Sequence, residues 1–321
     1  MRLFFYLVIR VVADYSLDQE GIMLSRLEKR NLRNGLIFIS PWLIGFLGLQ
    51  IYPIGYSFWL SLTEYSGFGK ATFIGIKNFL DLKLDPILLT TVKNTLYYTV
   101  MAVPIGIVVA IILALCMNQK VREVSLYRAL LYLPSILPSF ALVFVWLIFT
   151  NAQFGLLNQL NITLGLPVID WIGDPRFTKP SLVILAQFGA GGPALIFLAS
   201  LRSISKDLYE SAEIDGAGVI KKFFSITLPM LTPIILYQLI MGLSGGLQVF
   251  TQAYIISGGA RAGTVGSQNS LFFYVLYIWQ NAFKYSRMGY AACLSVLFFA
   301  VSVIIAMIVF RWGRDWVNYD V

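Results

Sequence analysis

The sequence predicts an all-α membrane protein with six transmembrane helices. Hydrophobic residues occupy 58% of its 321 positions and charged residues only 12%, whereas an average soluble domain is roughly 45–50% apolar and about 25% charged. Six long apolar stretches carry no Lys, Arg, Asp or Glu near their centres. Because a helix needs about 20 apolar residues to cross a bilayer and satisfies its own backbone hydrogen bonds there, each stretch predicts one spanning helix.

These spans divide the chain into three parts. The predicted spans lie near residues 36–62, 93–117, 129–150, 181–201, 230–256 and 289–310. We therefore expect an N-terminal cytoplasmic segment at 1–35, a transmembrane domain at 36–311 and a short cytoplasmic tail at 312–321.

Two shorter apolar pieces do not reach spanning length. Residues 3–12 are flanked by basic residues and lack a small-residue cleavage site, so they make a poor signal peptide. Because Met23 precedes a basic segment that could itself begin a membrane protein, we hypothesise that residues 1–22 are an upstream extension. The aromatic segment 271–283 is too short to span and predicts an interfacial or cavity-lining helix.

Basic residues predict the orientation. The formal net charge is +8, but no dense Lys/Arg run suggests nucleic-acid binding. With both termini placed inside the cell, 15 of the 24 basic residues fall in inside segments and 9 in outside segments. Because cytoplasmic loops carry an excess of Lys and Arg, we expect a multi-pass protein of the cell membrane with both termini cytoplasmic.

The loop after the fourth span is longer and less polar than a simple connector. Ser205 predicts the N-cap of a short helix, and Gly216 and Gly218 predict its end. A second helical piece is expected at 219–227. Pro229 is then expected to begin the fifth span, at a position where a missing N–H costs little.

Small residues make this loop a candidate docking element. Ser211, Ala212 and Gly216 would let another surface approach the backbone closely, while Glu210 and Asp215 place charge around that patch. The alternative is an amphipathic helix resting on lipid headgroups. Its acidic edge argues against binding to an anionic leaflet.

The loop resembles the signature of ABC importer permeases, which reads Glu-Ala-Ala, three residues, Gly, nine residues, Ile-x-Leu-Pro. At the same spacing this chain has Glu210, Ser211, Ala212, Gly216, Ile226, Thr227, Leu228 and Pro229. The one departure is Ser211, a small residue in place of Ala. Segments 73–79 and 287–290 are also similar to those of carbohydrate-uptake permeases, the first-subunit type of maltose, lactose or glycerol-phosphate systems. We call residues 205–229 the signature loop.

The resemblance implies a six-helix type I importer permease with a cytoplasmic coupling helix. It further implies four kinds of partner: a second permease subunit, two ATPase subunits that bind ATP and Mg²⁺, an extracytoplasmic sugar-binding protein and membrane lipid. No cofactor is expected in this chain. The sugar itself is not identified by the resemblance.

The sequence lacks the usual marks of an enzyme. It has no histidine, which excludes Ser-His-Asp and Cys-His arrangements. It also has no phosphate-binding GxxxxGK[ST] motif. Cys116 and Cys293 have no Cys-x-x-Cys or histidine neighbours, so we expect them to be packing residues rather than metal ligands.

An ion-coupled carrier remains the main alternative. Such a carrier usually needs ionisable groups within the membrane, and none lies at mid-span here. Backbone carbonyls and hydroxyls can nevertheless bind Na⁺. Transport without ATPase partners would distinguish this alternative.

Polar residues within the spans are candidates for a substrate path. Ser244, Gln248 and Gln252 recur at i, i+4 and i+8 of the fifth span, which would place them on one helix face. They could hydrogen-bond a neutral sugar or a neighbouring helix. Gln187 lies beside a cluster of glycines that predicts a break in the fourth span. Trp146 and Tyr254 could stack on a sugar face or serve in packing.

Overall fold

The structure is a computed structural model that describes residues 26–119, 122–258 and 266–317. The predicted start at Met23 lies outside these residues. The chain divides into two units, with the boundary between Trp59 and Leu60.

The first unit contains the long N-terminal helix. Helix α1 (Arg26–Phe46) continues through a π-helical turn, Leu47–Ile51, into α2 (Tyr52–Ser61), which ends just past the boundary. Large apolar side chains such as Phe38 and Leu49 are exposed along it. An exposed apolar surface of this kind is typical of a helix that is surrounded by lipid.

The second unit is helical apart from one short hairpin. Strands β1 (Thr63–Glu64) and β2 (Thr72–Phe73) pair antiparallel. The helices are α3 (Lys77–Asp81), α4 (Pro86–Met117), α5 (Val124–Ile136), α6 (Ser139–Phe149), α7 (Leu156–Thr163), α8 (Pro175–Ala186), α9 (Gly191–Ser203), α10 (Lys206–Ile214), α11 (Val219–Lys222), α12 (Leu228–Met230), α13 (Thr232–Leu247), α14 (Thr251–Ile256), α15 (Tyr274–Trp279) and α16 (Met288–Gly313). Short 3-10 turns occupy Leu82–Leu84, Gln187–Ala190 and Ser267–Asn269, and π-helical turns occupy Phe223–Thr227 and Gln280–Lys284.

Five helical stretches in the described part of the chain are long and apolar enough to cross a membrane. They are Arg30–Ser61, Pro86–Met117, Pro175–Ser203, Thr232–Ile256 and Met288–Gly313. Each overlaps one of the predicted spans. The span predicted at 129–150 is instead divided between α5 and α6, which are bent by 98°. Counting this pair as one broken span gives six.

The bend between α5 and α6 has a local cause. Leu137 and Pro138 are both extended, with ψ angles of 139° and 138°. Proline has no N–H to donate and disfavours helical geometry in the residue before it. The sequence Leu137-Pro138 therefore ends α5 and lets α6 begin in a new direction.

Helix α4 is the scaffold of the second unit. Asp85 caps its N-terminus by accepting hydrogen bonds from the backbone N–H groups of Ile87 (2.9 Å) and Leu88 (3.2 Å). Two apolar clusters pack against this helix. The first cluster contains Leu182, Phe273 and Leu276, and the second contains Met117, Phe197 and Leu231. Burial of this apolar surface holds α8, α9 and α15 against α4.

Segment 271–283 is largely buried within the protein. Phe273 and Leu276 are fully buried in the first cluster, and Gln280 is 1% exposed. Tyr277 lines a polar cavity, which was the other role predicted for this segment. Most of its aromatic residues therefore pack in the protein core, whereas Phe283 is 64% exposed.

The fifth span, Thr232–Ile256, ends where the sequence predicts, but it begins after Pro229 and contains a break that was not predicted. Pro229 lies in the single turn α12, and α13 begins at Thr232 with Pro233 in its first turn. Helix α13 ends at Leu247. Residues 248–250 are not helical, and Phe250 has φ −137° and ψ −60°. This break separates α13 from α14.

Candidate functional site

Helix α10 begins and ends with local hydrogen bonds, as the sequence predicts. The Ser205 hydroxyl accepts a hydrogen bond from the Asp207 N–H at 3.2 Å. At the other end, Gly216 N–H donates to Glu213 O (3.0 Å) and Ala217 N–H donates to Ala212 O (2.8 Å). This paired pattern is the Schellman motif, which satisfies the last helix carbonyls.

Gly216 is required here for its backbone conformation. Its φ angle is +74°, in the left-handed region that costs other residues roughly 1–2 kcal/mol. A Cβ atom at Gly216 would meet no described atom within 4 Å. The constraint is therefore conformational and not steric.

Two side-chain contacts hold α10 to the second half of the signature loop. The Tyr209 and Thr227 hydroxyls hydrogen-bond at 2.8 Å, and Lys222 lies 3.4 Å from the Glu213 carboxylate. Tyr209 also packs against the second apolar cluster, together with Phe223 and Ile226. A force applied to α10 would consequently reach the start of α13 through packed atoms.

The loop presents an exposed apolar surface at its tip. Ile214 is 87% exposed, Val219 is 80% exposed and Ile220 is 76% exposed. Several signature residues are exposed beside them, namely Glu210, Ser211, Asp215 and Gly216. The others are half-buried at its base, namely Ala212, Ile226, Leu228 and Pro229. Large exposed apolar side chains rimmed by acidic groups are typical of a surface that another protein covers.

A cavity of about 230 Å³ lies between α4, the α8–α9 break and α13. We call it the helix-core cavity. Gln187 and Gln238 line it from opposite helices. In the described residues, Gln187 Oε1 and Gln238 Nε2 are buried and have no hydrogen-bond partner. One is an acceptor and the other a donor, so the cavity suits a neutral hydroxylated molecule or water.

Glycines bring the cavity walls together. The predicted break in the fourth span is confirmed as the 3-10 turn Gln187–Ala190. A Cβ atom at Gly242 would lie 2.8 Å from the Val103 side chain, and one at Gly246 would lie 3.0 Å from Thr99. The glycines of α13 therefore allow close packing against α4.

The predicted polar stripe of the fifth span is interrupted. Gln248 donates to the Ser244 hydroxyl at 3.2 Å, so these two side chains do lie together. Gln252 lies beyond the break, on α14, and does not continue the same helix face. Of the predicted path residues, Gln187 lines the helix-core cavity.

The two predicted aromatic residues are engaged in packing. Trp146 is 4% exposed and donates its indole N–H to the Ser181 hydroxyl at 2.8 Å. Tyr254 stacks on Phe250 and meets Trp279 edge-on. The packing alternative therefore accounts for Trp146, and Tyr254 is half-buried within an aromatic cluster.

Sequence reasoning missed a carboxylate that joins three elements. Asp85 Oδ2 accepts hydrogen bonds from the Tyr277 and Tyr290 hydroxyls, in addition to capping α4. Burial opposes ionisation of Asp85, but these hydrogen bonds outweigh it and lower its pKa below the ordinary value. The Asp85-Pro86 pair is a helix-start signal that could have been found; the two tyrosines, nearly 200 residues away, could not.

Metal chemistry has no support in the described residues. They contain no group of three or more His, Cys, Asp or Glu side chains placed to hold a metal ion. Cys293 is buried and Cys116 is exposed, and neither is in a disulfide. The candidate site therefore consists of the exposed surface of the signature loop and a mainly apolar cavity that contains two glutamines.

Comparisons with known proteins identify relatives of this chain. The chain is 36% identical to the probable ABC transporter permease protein YesP of Bacillus subtilis, over 92% of this chain and 94% of that one. It is 30% identical to the arabinooligosaccharides transport system permease protein AraP of the same species, over 85% and 86%. It is 31% identical to the lactose transport system permease protein LacF of Rhizobium radiobacter, over 88% and 94%.

Solved structures show the same fold. A chain of a bacterial ABC transporter involved in the import of the acidic polysaccharide alginate superposes with a TM-score of 0.77. It is 22% identical, and the match covers 92% of this chain and 100% of that chain. Residues 102–321 match the family described as the inner membrane component of binding-protein-dependent transport systems. The chain is therefore a multi-pass membrane protein of this family of ABC transporter permeases, whose members transport solutes rather than catalyse reactions.

Proposed function

We propose that this chain is one permease subunit of an ATP-driven importer for a saccharide. Three relatives or structural neighbours are described as transporting arabinooligosaccharides, lactose or alginate. The helix-core cavity supports this substrate class, because its unpaired polar atoms are neutral amide groups. The observation that carries the proposal is the signature loop, with its exposed tip and its packed base.

The signature loop is proposed to dock into an ATPase subunit on the cytoplasmic side. Its exposed Ile214, Val219 and Ile220 side chains would be covered by the partner. The hydrogen bond between Tyr209 and Thr227 would keep α10 fixed to the second half of the loop, which leads into the fifth span. ATP and Mg²⁺ would bind to the ATPase subunits, and no cofactor would bind to this chain.

The remaining partners follow from the family. The transport unit is proposed to contain a second permease, two ATPase subunits and an extracytoplasmic binding protein. One structural neighbour was solved in complex with an alginate pentasaccharide-bound periplasmic protein. ATP binding would favour the outward-open state, and a switch between two states needs on the order of 5 kcal/mol of differential binding. Both termini of this chain would be cytoplasmic.

Substrate is proposed to pass along the helix-core cavity. Gln187 and Gln238 would hydrogen-bond sugar hydroxyls, and the adjacent pair Ser244 and Gln248 would extend the path. This assignment keeps three of the residues that the sequence predicted and adds Gln238. Gln252 lies beyond the helix break and would have a separate role.

Reconstitution tests the proposal. The chain would be purified with its second permease and ATPase, placed in proteoliposomes and supplied with its binding protein and labelled arabino-oligosaccharide, lactose or maltose. We expect accumulation of a saccharide that requires internal ATP. Gly216→Trp should abolish this uptake while the complex still assembles. Uptake that persists without the ATPase subunits would instead indicate an ion-coupled carrier.

A further inference from the structure

We infer that α7 and the loop that follows it lie in the interfacial region of the outer leaflet, as a lipid-contacting element outside the transport path. Residues 150–169 contain no charged side chain. Charge resumes only at Asp170, Asp174 and Arg176. An uncharged stretch of this length directly after a membrane helix is typical of a segment that stays at the membrane boundary.

Helix α7 turns one polar side chain inward and several large apolar side chains outward. Asn158 is 2% exposed, and its amide pairs with the backbone of Ile169, donating at 2.8 Å and accepting at 3.1 Å. In contrast, Leu156, Leu160 and Leu164 are 55%, 56% and 63% exposed. Their i, i+4 and i+8 spacing places them along one side of the helix.

The loop after α7 continues this outward apolar surface. Ile162, Leu166 and Val168 are 60%, 52% and 54% exposed. Phe154, just before the helix, is 60% exposed as well. The outward side chains of the helix and loop are thus mostly large and apolar, and the exposed polar ones, Gln153, Gln159 and Thr163, are uncharged.

The chain path places this surface beside the bilayer. Helix α6 ends at Phe149, and Asn151 then reverses the chain by accepting hydrogen bonds from the Gln153 and Phe154 N–H groups. Only six residues separate the end of α6 from the start of α7. The apolar surface is therefore continuous with the membrane-embedded part of the protein.

Lipid fits this surface better than a protein partner. A protein interface usually surrounds its apolar centre with a polar rim, and the exposed polar side chains of this segment are few and uncharged. The boundary between headgroups and acyl chains accepts an uncharged apolar helix face without that requirement.

Spin labels can measure the depth of this helix. In a Cys116→Ala background, Leu160→Cys would be labelled in the assembled transporter, reconstituted in phosphatidylcholine and phosphatidylglycerol vesicles. Collision rates with oxygen, which partitions into lipid, and with a nickel chelate, which stays in water, would be compared. Gln159→Cys is the matched control on the polar flank of the same helix, and Lys70→Cys is the aqueous reference.

We expect oxygen collisions to exceed nickel collisions at position 160, with a ratio several-fold above that at position 159 and at position 70. A nickel-accessible label at position 160 would show a surface in water and would overturn the inference. Low accessibility to both reagents would show a protein partner or a second copy and would overturn it equally. If Leu160→Cys fails to assemble, Leu164→Cys gives the same test.

Discussion

The signature loop and the helix-core cavity both depend on glycine, but for opposite reasons. Gly216 in the loop has φ +74° and open space around it. Gly242 in the cavity wall is helical, and a Cβ atom there would lie 2.8 Å from Val103. One glycine is fixed by its own backbone and the other by a neighbouring helix. A short sequence can therefore identify the loop, whereas the cavity depends on tertiary packing.

The largest effect on uptake should come from a change to the backbone of the signature loop. Gly216→Ala adds one methyl group and forces a residue with a Cβ into the left-handed region, at about 1–2 kcal/mol. A cost of this size lowers the ratio of the native loop conformation to its alternatives by roughly 5–30-fold, so ATP-driven uptake should fall. Gly218→Ala is the matched control, because Gly218 is equally open but has φ −68°. Equal uptake by the two variants would contradict the conformational role.

Added side-chain volume in the wall of the helix-core cavity should lower the stability of the protein. Gly242→Ala is expected to destabilise the protein by about 1–3 kcal/mol, because the new methyl group overlaps Val103. Gly245→Ala, on the same helix, meets no described atom within 4 Å and should be neutral or slightly stabilising, since Ala favours helix more than Gly. Thermal unfolding in detergent would compare them. A lower melting temperature for Gly245→Ala would contradict this difference.

The glutamine side chains of the cavity should affect the KM for uptake and not the thermal stability of the protein. Gln238→Leu removes a buried amide that lacks a partner in the described structure, so thermal stability should be unchanged or higher. Loss of one hydrogen bond to the sugar, about 1 kcal/mol, should raise the KM for uptake about fivefold. Gln187→Leu should behave similarly. If both variants transport normally, the cavity holds water and not substrate.

Gln248→Ala tests whether the Ser244–Gln248 pair belongs to the substrate path, separately from the helix-core cavity. Gln248 bonds Ser244 and lies outside the helix-core cavity lining. A raised KM without loss of complex assembly would place the exposed end of α13 on the path. An unchanged KM would assign the Ser244–Gln248 pair to helix packing.

The smallest effect concerns Asp85. Its pKa is lowered in the folded protein, so its contribution to stability is present above the unfolded pKa, about 3.9, and is lost as pH falls through the folded value. We expect a constant melting temperature at neutral pH and a decrease below about pH 4. Asp85→Asn should weaken the pH dependence, and Asp81→Asn, at an exposed position of α3, is the control. A decrease in melting temperature with its midpoint near neutral pH would contradict a lowered pKa for Asp85.

The sequence alone predicted those features that depend on residues close together in the chain. Ser205 and Gly216 cap α10 as predicted, and the glycines near Gln187 break the fourth span, because each signal acts within a few residues. The bend at Pro138 was missed although its cause is also local. The apolar residues on both sides of Pro138 have the composition of one continuous span, and hydrophobicity alone does not indicate where a helix changes direction.

Other features depend on residues that are far apart in sequence. The stripe from Ser244 to Gln252 assumed an uninterrupted helix, but residues 248–250 leave helical geometry. Gln238 became a cavity residue only once α13 was packed against α4, and Tyr277 and Tyr290 met Asp85 only in the folded chain. Helical spacing predicts which residues share a face of one helix. It does not predict which residues of a second helix pack against that face.

Photo-cross-linking at the tip of α10 tests the central claim most directly. A benzoylphenylalanine would replace Ser211 in the assembled transporter, with the same group in place of Lys70 as a control on the other side of the membrane. Irradiation should join position 211 to an ATPase subunit, with a yield that changes when ATP is added, and should not join position 70 to it. Absence of that adduct, or labelling of position 211 by a membrane-impermeant reagent from outside intact cells, would contradict the account.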